Sequence, residues 1–155
     1  MDIKHNFWCN PLRPAYTTPA VPRQSAQALA TPGWVAHPGG YCTLGAMDSG
    51  FAYDNERPGH PTLLHPHRLA DRLVTNAEFA AFIDDGGYRQ PELWLADGWH
   101  WIQQQRVTAP LYWFRADDAP HHTPWQEFRL SGPAPLEAAA PVCHVSYYEA
   151  DAFAR

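Results

Sequence analysis

Long uninterrupted stretches are what this sequence has least of. Sixteen prolines and ten glycines are spread through 155 residues, and such punctuation excludes long helices or strands over most of the chain. No apolar run approaches the roughly 20 residues that a membrane-spanning helix needs, and the N-terminus lacks the apolar stretch of a signal peptide. The sequence therefore predicts a cytoplasmic chain with no membrane partner. Basic residues are few, 11 against 16 acidic, for a formal charge of -5. Without a Lys/Arg cluster there is no electrostatic footprint for nucleic acid. The three cysteines, Cys9, Cys42 and Cys143, are odd in number and contain no C-x-x-C, which suits reduced thiols rather than a disulfide framework. Aliphatic residues are scarce as well, and seven Trp, seven Tyr and seven Phe stand in for them. Each buries on the order of 150 to 250 Å², so the expected core is aromatic and threaded by irregular chain, in a loop-rich α+β class.

What is present is organised around residues 71–101, DRLVTNAEFAAFIDDGGYRQPELWLADGWHW. Thr75 and Glu78 form a T-x-x-E capping box, with Val74 and Phe79 at the spacing of a hydrophobic staple. Phe79, Phe82 and Ile83 make one apolar helical stripe, and Gly86-Gly87 supply the left-handed stop. A second short helix is expected after Pro91, with Asp97 as its candidate cap and Leu95, Trp99 and Ile102 on one side.

Upstream, Met1 to Trp8 look like the last turns of a helix, and Asn10 to about Pro38 form a Pro-rich, mostly extended linker. Strand-like runs follow at Tyr41 to Gly45 and Phe51 to Tyr53, then a polar turn, Asp54 to His60. Thr62 to Leu69 is a further extended run. Beyond the organising stretch come a short aromatic strand or turn (Pro110 to Phe114), a polar loop (Ala116 to Thr123), a strand (Trp125 to Leu130) and a Pro/Ala-rich connector (Gly132 to Pro141). Ser146 and Glu149 repeat the capping-box pattern. The resulting division is a helix end plus linker over residues 1–38 and one domain over 39–155. Both ends fall within helix patterns, so the expectation is a fragment, incomplete at the C-terminus.

Several groupings suggest chemistry. His65 and His67, at i, i+2, would share a face on a strand and could hold one metal ion, but Pro66 between them and no third ligand nearby favour surface histidines. Asp54 and Glu56 have the same spacing and could serve acid-base work or a cation; a hydrogen-bonded turn is the preferred reading. His121-His122 reads as solvated. Cys143 beside His144 suggests an activated thiol, yet neighbours on an extended segment face opposite ways, and a buried Cys143 is expected. The Trp-rich run could be a stacking platform for a ligand, with core packing the commoner use.

The order FAYDNERPGH, LVTNAEFAAFIDDGGYRQPELWLADGW, PLYW and PVCHVSYYEADAFAR resembles the formylglycine-generating-enzyme-like (sulfatase-modifying-factor) domain, whose fold is related to C-type lectins, in the branch found in sulfoxide synthases of ergothioneine biosynthesis. The resemblance covers almost the whole chain. Asp2-Ile3-Lys4-His5, Asn10-Pro11-Leu12 and Pro14-Ala15-Tyr16 look like the segment joining that domain to a preceding DinB-like helical bundle. The resemblance implies a parent oxidoreductase in which iron(II), held by three histidines of the helical domain, uses dioxygen to join a thiol, γ-glutamylcysteine or cysteine, to the imidazole of Nα-trimethylhistidine. It implies no metal, cofactor or catalytic residue within this chain, which alone would be inactive. Asp54, Asn55 and Glu56 match a family motif, read as structural. His67 and Ala77 depart from it, standing where an aromatic residue and Gly are common. The alternatives are relatives making ovothiol or selenoneine, which share the two-domain plan, a copper-dependent formylglycine-generating enzyme, and a non-catalytic lectin-like binding module of the same fold without iron.

Overall fold

The computed structural model describes residues 6–18, 31–47, 49–115 and 124–155. The chain divides into two compact units, Ala30–Leu73 and Val74–Arg155, the latter together with the lead-in before residue 30. The fold is α+β and loop-rich, with short antiparallel sheets and short helices.

The smaller unit is a long antiparallel ribbon. Strand β1 (Trp34–His37) pairs with β4 (His67–Ala70), and β2 (Gly40–Leu44) pairs with β3 (His60–Leu64). His37 lies opposite His67 and Gly40 opposite Leu64, so one register runs through both halves. The interruption falls at Pro38-Gly39 and His65-Pro66, where each proline lacks the N–H that a ladder requires. Gly39 takes a positive φ of 78°, and a Cβ there would lie 2.6 Å from the Leu64 carbonyl oxygen, so only glycine fits this crossing. At the open end Asp71 closes the ribbon, accepting from the Gly33 amide at 2.8 Å. Trp34–His37, placed by the sequence within an extended linker, is thus a paired strand. The alternation at Phe51 to Tyr53 does not become a strand: these residues run without a partner strand into a 3-10 turn, Asp54–Glu56.

In the larger unit, helix α1 (Asn76–Asp84) starts at Thr75 with the expected capping box: Thr75 Oγ1 accepts from the Glu78 amide at 3.3 Å and Glu78 Oε2 from the Thr75 amide at 2.9 Å. Gly86, at φ 85°, ends it. A 3-10 turn, Pro91–Leu93, precedes helix α2 (Ala96–Gln105). The cap of α2 is Leu95, without a side-chain hydrogen bond, and Asp97 lies inside the first turn. There its charge faces the positive end of the helix rather than capping it. Strands β5 (Trp113–Phe114), β6 (Gln126–Arg129) and β7 (Gly132–Pro135) form an antiparallel meander. β7 lies within the stretch expected to be a connector. It tolerates Pro133 and Pro135 because it is an edge strand, with one side that needs no N–H donors. Helix α3 (Tyr147–Ala154) is capped by Ser146 and Glu149 as expected.

The core of this unit is aromatic. Phe79, Tyr88, Trp94, Ile102, Trp113 and Ala152 are buried, with Phe82, Trp99, Trp101, Trp125, Tyr148 and Phe153 packed on them. Phe79 stacks on Phe153 with ring centroids 5.4 Å apart and meets Phe82 and Trp113 edge-on, the offset and edge geometries that the ring quadrupole favours. Two glycines allow close approach: a Cβ on Gly87 would lie 2.3 Å from the Phe82 ring, and one on Gly98 would lie 2.7 Å from Tyr148. The start of α1 is tied to the chain beyond β7, where the Asn76 and Ala77 amides donate to the Ala140 and Ala138 carbonyls and Asn76 Nδ2 to that of Glu137. Among the described residues, no helix is long and apolar enough to cross a membrane.

Candidate functional site

The larger unit opens into a cleft of about 1180 Å³ between the end of α1, the turn leading into β5, and the start of α3. Ile83, Trp101, Trp113, Phe114 and Trp125 give it apolar walls, while Asp84, Arg89, Arg115, His144 and Glu149, with the phenols of Tyr88 and Tyr112, are its charged or titratable lining.

Its floor is fixed by a buried polar pair. Glu149 is 2% exposed and is held twice, accepting from the Ser146 amide at 2.6 Å through Oε2 and from the Tyr88 hydroxyl at 2.5 Å through Oε1. Burial first, and then the Glu149 carboxylate, push the Tyr88 phenol far above its ordinary range, because an anionic oxygen there would lose water and face a second negative charge. Beside it, Trp94 Nε1 donates to the Gly87 carbonyl at 2.8 Å. The sequence marks Glu149 as a capping residue. It carries no mark of the partner 61 positions away.

The rim is strained. Tyr112 and His144 adopt positive φ angles of 75° and 61°, costly for residues with a Cβ. Their rings meet edge-on at 4.8 Å, Trp8 stacks on Tyr112 at 5.7 Å, and the Leu111 amide donates to the His144 carbonyl. Burial, and then the neighbouring Cys9, raise the Tyr112 phenol above its usual range. On the opposite side the Arg115 guanidinium lies 3.9 Å over the Trp125 ring. It also reaches Asp84 at 3.3 Å. Arg115 Nε and Trp125 Nε1 are buried without a hydrogen-bond partner among the described residues.

Few of the groupings singled out from sequence fall here. Asp54, Asn55 and Glu56 lie in the smaller unit, where Glu56 accepts from the Tyr53 amide at 2.9 Å and Asp54 from that of Asn55 at 3.0 Å, a self-bonded turn. His67 stacks on His37 at 4.9 Å and its Nδ1 lies 2.8 Å from the His65 carbonyl. His65 sits in the break between strands, and among the described residues no group of three ligands forms around it and His67. Cys143 is exposed rather than buried, its thiol reaching the Pro141 carbonyl at 3.6 Å, because the segment runs along the surface before α3. His144, its neighbour, is the one that reaches the cleft. His121 and His122 lie outside the described residues. Among the described residues no three His, Cys, Asp or Glu side chains converge to hold a metal ion. Arg115, Trp125, Tyr88 and Tyr112 were not singled out as functional, and only tertiary contact gathers them.

A short-stranded α+β scaffold with an aromatic core and an open cleft defines the class of domain. Residues 18–155 match the family profile described as the sulfatase-modifying factor enzyme 1-like domain. The chain belongs to that family. It is 41% identical over 107 residues to a hercynine oxygenase of Mycolicibacterium thermoresistibile, covering 69% of this chain and 22% of that protein. With the hercynine oxygenase of Mycobacterium tuberculosis it shares 38% identity over 70% of the chain and 24% of the relative. A formylglycine-generating enzyme of Streptomyces coelicolor is 37% identical over 48% of the chain and 24% of its own length. The chain thus spans about a quarter of the length of these curated relatives.

Proposed function

We propose that this chain is part of an oxidoreductase of ergothioneine biosynthesis, one that uses dioxygen to join a thiol, γ-glutamylcysteine or cysteine, to the imidazole of Nα-trimethylhistidine (hercynine). The observation that carries the reading is the similarity to hercynine oxygenases over 69 to 76% of the chain, against 44 to 48% for the formylglycine-generating enzymes. In this reading iron(II) would supply the activation of dioxygen. The described residues do not fit that ion, since no cluster of three donors exists among them. In this reading the iron belongs to three histidines of a DinB-like helical domain packed on this one, and the chain alone is inactive. What these residues contribute is support: the capped helices α1 and α3 and the Tyr88–Glu149 pair hold the aromatic scaffold on which a substrate pocket is built.

The test is dioxygen uptake by the full-length protein loaded with iron. Uptake that requires both hercynine and a thiol supports the reading. Uptake that is independent of hercynine contradicts it.

A further inference from the structure

We propose that the ribbon of the smaller unit binds one divalent transition-metal ion between His37 and His67, of the class that imidazole favours: zinc(II), nickel(II) or copper(II). The site lies apart from the reaction proposed above and does not depend on it. His37 and His67 are directly opposed partners in the β1–β4 ladder, and both are exposed. Opposed residues of an antiparallel pair project to one face, with Cβ atoms about 4.5 to 5.5 Å apart. Their rings are stacked, with centroids 4.9 Å apart and planes 14° from parallel. The flanking prolines keep the chain extended here: His37 precedes Pro38, which disfavours the helical region for it, and Pro66 fixes the approach to His67.

The ring nitrogens suit this pair to chelation. His67 Nδ1 lies 2.8 Å from the His65 carbonyl oxygen. A carbonyl only accepts, so Nδ1 carries the proton and Nε2 of the neutral ring keeps its lone pair. A ring N–H given to a backbone carbonyl is the outer-shell arrangement that orients metal-bound histidines. Stacking alone needs no such arrangement, since a phenyl ring in either place would pack as well. Zinc–nitrogen bonds of about 2.0 to 2.1 Å place two ligand nitrogens roughly 3.3 Å apart in a tetrahedral site. The rings must therefore tip together out of the 4.9 Å stack, which exposed side chains do by rotation about their own bonds. Val35 and Leu69 form the next pair on the histidine face, and Arg68, paired with Ala36, falls on the other. The one arginine of these two strands thus does not oppose a cation there. With two protein nitrogens the remaining positions belong to water, so the ion is exchangeable. Its effect is to tie β1 to β4 beside the interruption at Pro38-Gly39 and His65-Pro66.

The experiment titrates zinc chloride calorimetrically into the full-length protein, its His37→Phe and His67→Phe variants and the double variant. Magnesium chloride, a hard ion that prefers oxygen, is the control. Each substitution keeps a ring for the stack and removes the nitrogens, and zinc sites elsewhere are common to all four proteins and cancel in the comparison. The proposal expects the parent to bind one zinc more than the double variant. Each single change should weaken that site about 10-fold or more, at least the cost of losing an outer-shell partner. The double change should add little, because removing either histidine already breaks the chelate. Hydrogen exchange then locates the ion: at free zinc about 100 times Kd, amides of Trp34–His37 and His67–Ala70 that exchange through opening of the ribbon should slow about 100-fold in the parent. They should not slow in the variants or with magnesium. His67→Gln, polar at an exposed position, is the second variant should His67→Phe fail to fold. Equal zinc binding by parent and double variant, single losses that simply add, or ribbon exchange unchanged at saturating zinc would overturn the proposal.

Discussion

Replacing Tyr88 by Phe removes one hydroxyl and leaves a buried carboxylate with half its partners. Glu149 is 2% exposed, and its Oε1 accepts from that hydroxyl at 2.5 Å, while Oε2 keeps the Ser146 amide. The ring contacts of Tyr88 with Phe82 and Trp94, at 6.0 and 5.2 Å, survive in Phe. The change is therefore close to a clean deletion of one hydrogen bond to a charged group, which costs about 1.5 to 3 kcal/mol. Urea unfolding of both proteins measures it as a shift of midpoint at constant m. The pair also has an alkaline signature. Because the folded-state phenol titrates far above its ordinary value, its contribution is fully present below about pH 10 and is lost as pH rises beyond that, at up to about 1.4 kcal/mol per pH unit. The unfolded chain releases that proton first, which is what sets the sign. Tyr88→Phe should lack this part of the alkaline slope. A loss under about 0.5 kcal/mol at pH 7, with an alkaline limb unchanged from the parent, would refute the assignment of Tyr88 as the neutral donor to a buried carboxylate.

Three other outcomes follow from the packing. Phe79→Ala, at the centre of the aromatic cluster and 1% exposed, should cost about 3 to 5 kcal/mol, read from chemical unfolding. Gly98→Ala drives a methyl to 2.7 Å from Tyr148 Cβ, so α2 and α3 must part; a loss of about 1 to 3 kcal/mol is expected in place of the gain that alanine normally brings to a helix. Thr75→Ala removes the acceptor for the Glu78 amide and one of the donors to the Glu78 carboxylate, which keeps the residue-75 amide, a loss of about 0.5 to 2 kcal/mol, measurable as a lowered Tm.

Local grammar made much of the fold legible. The Thr75/Glu78 and Ser146/Glu149 boxes state their helix starts within four residues, and both helices begin there. Gly86 states its stop in the same way. Where pairing decides, the sequence was less informative. Trp34–His37 becomes a strand because β4 lies alongside it, and Gly132–Pro135 becomes one because β6 does; the first is short and set among prolines, and two prolines in β7 argue against a strand until its edge position is known. Asp97 looked like a cap because Asp suits one, yet the helix begins earlier, at Leu95. Cys143 looked buried by residue type alone and lies at the surface.

The cleft was the least legible part. Tyr88 and Glu149 are far apart in sequence, as are Trp8 and Tyr112, and no periodicity links such positions. The contact of Arg115 with Trp125 is invisible until the cation is seen over the ring. The family was recognisable for a different reason: the ordered motifs from FAYDNERPGH to PVCHVSYYEADAFAR are the same capping boxes, turns and aromatic positions that build the scaffold, so the features that fold the chain are also those that identify it.

The most direct measurement of the central reading is a competition between the two chemistries of the relatives. The full-length protein is given hercynine, γ-glutamylcysteine, cysteine and a cysteine-containing sulfatase peptide under air, with iron(II) in one sample and copper in another, and products are identified by mass spectrometry. The account predicts a sulfoxide conjugate of hercynine in the iron sample and an untouched peptide. Conversion of the peptide cysteine to formylglycine, with hercynine recovered unchanged, would contradict it.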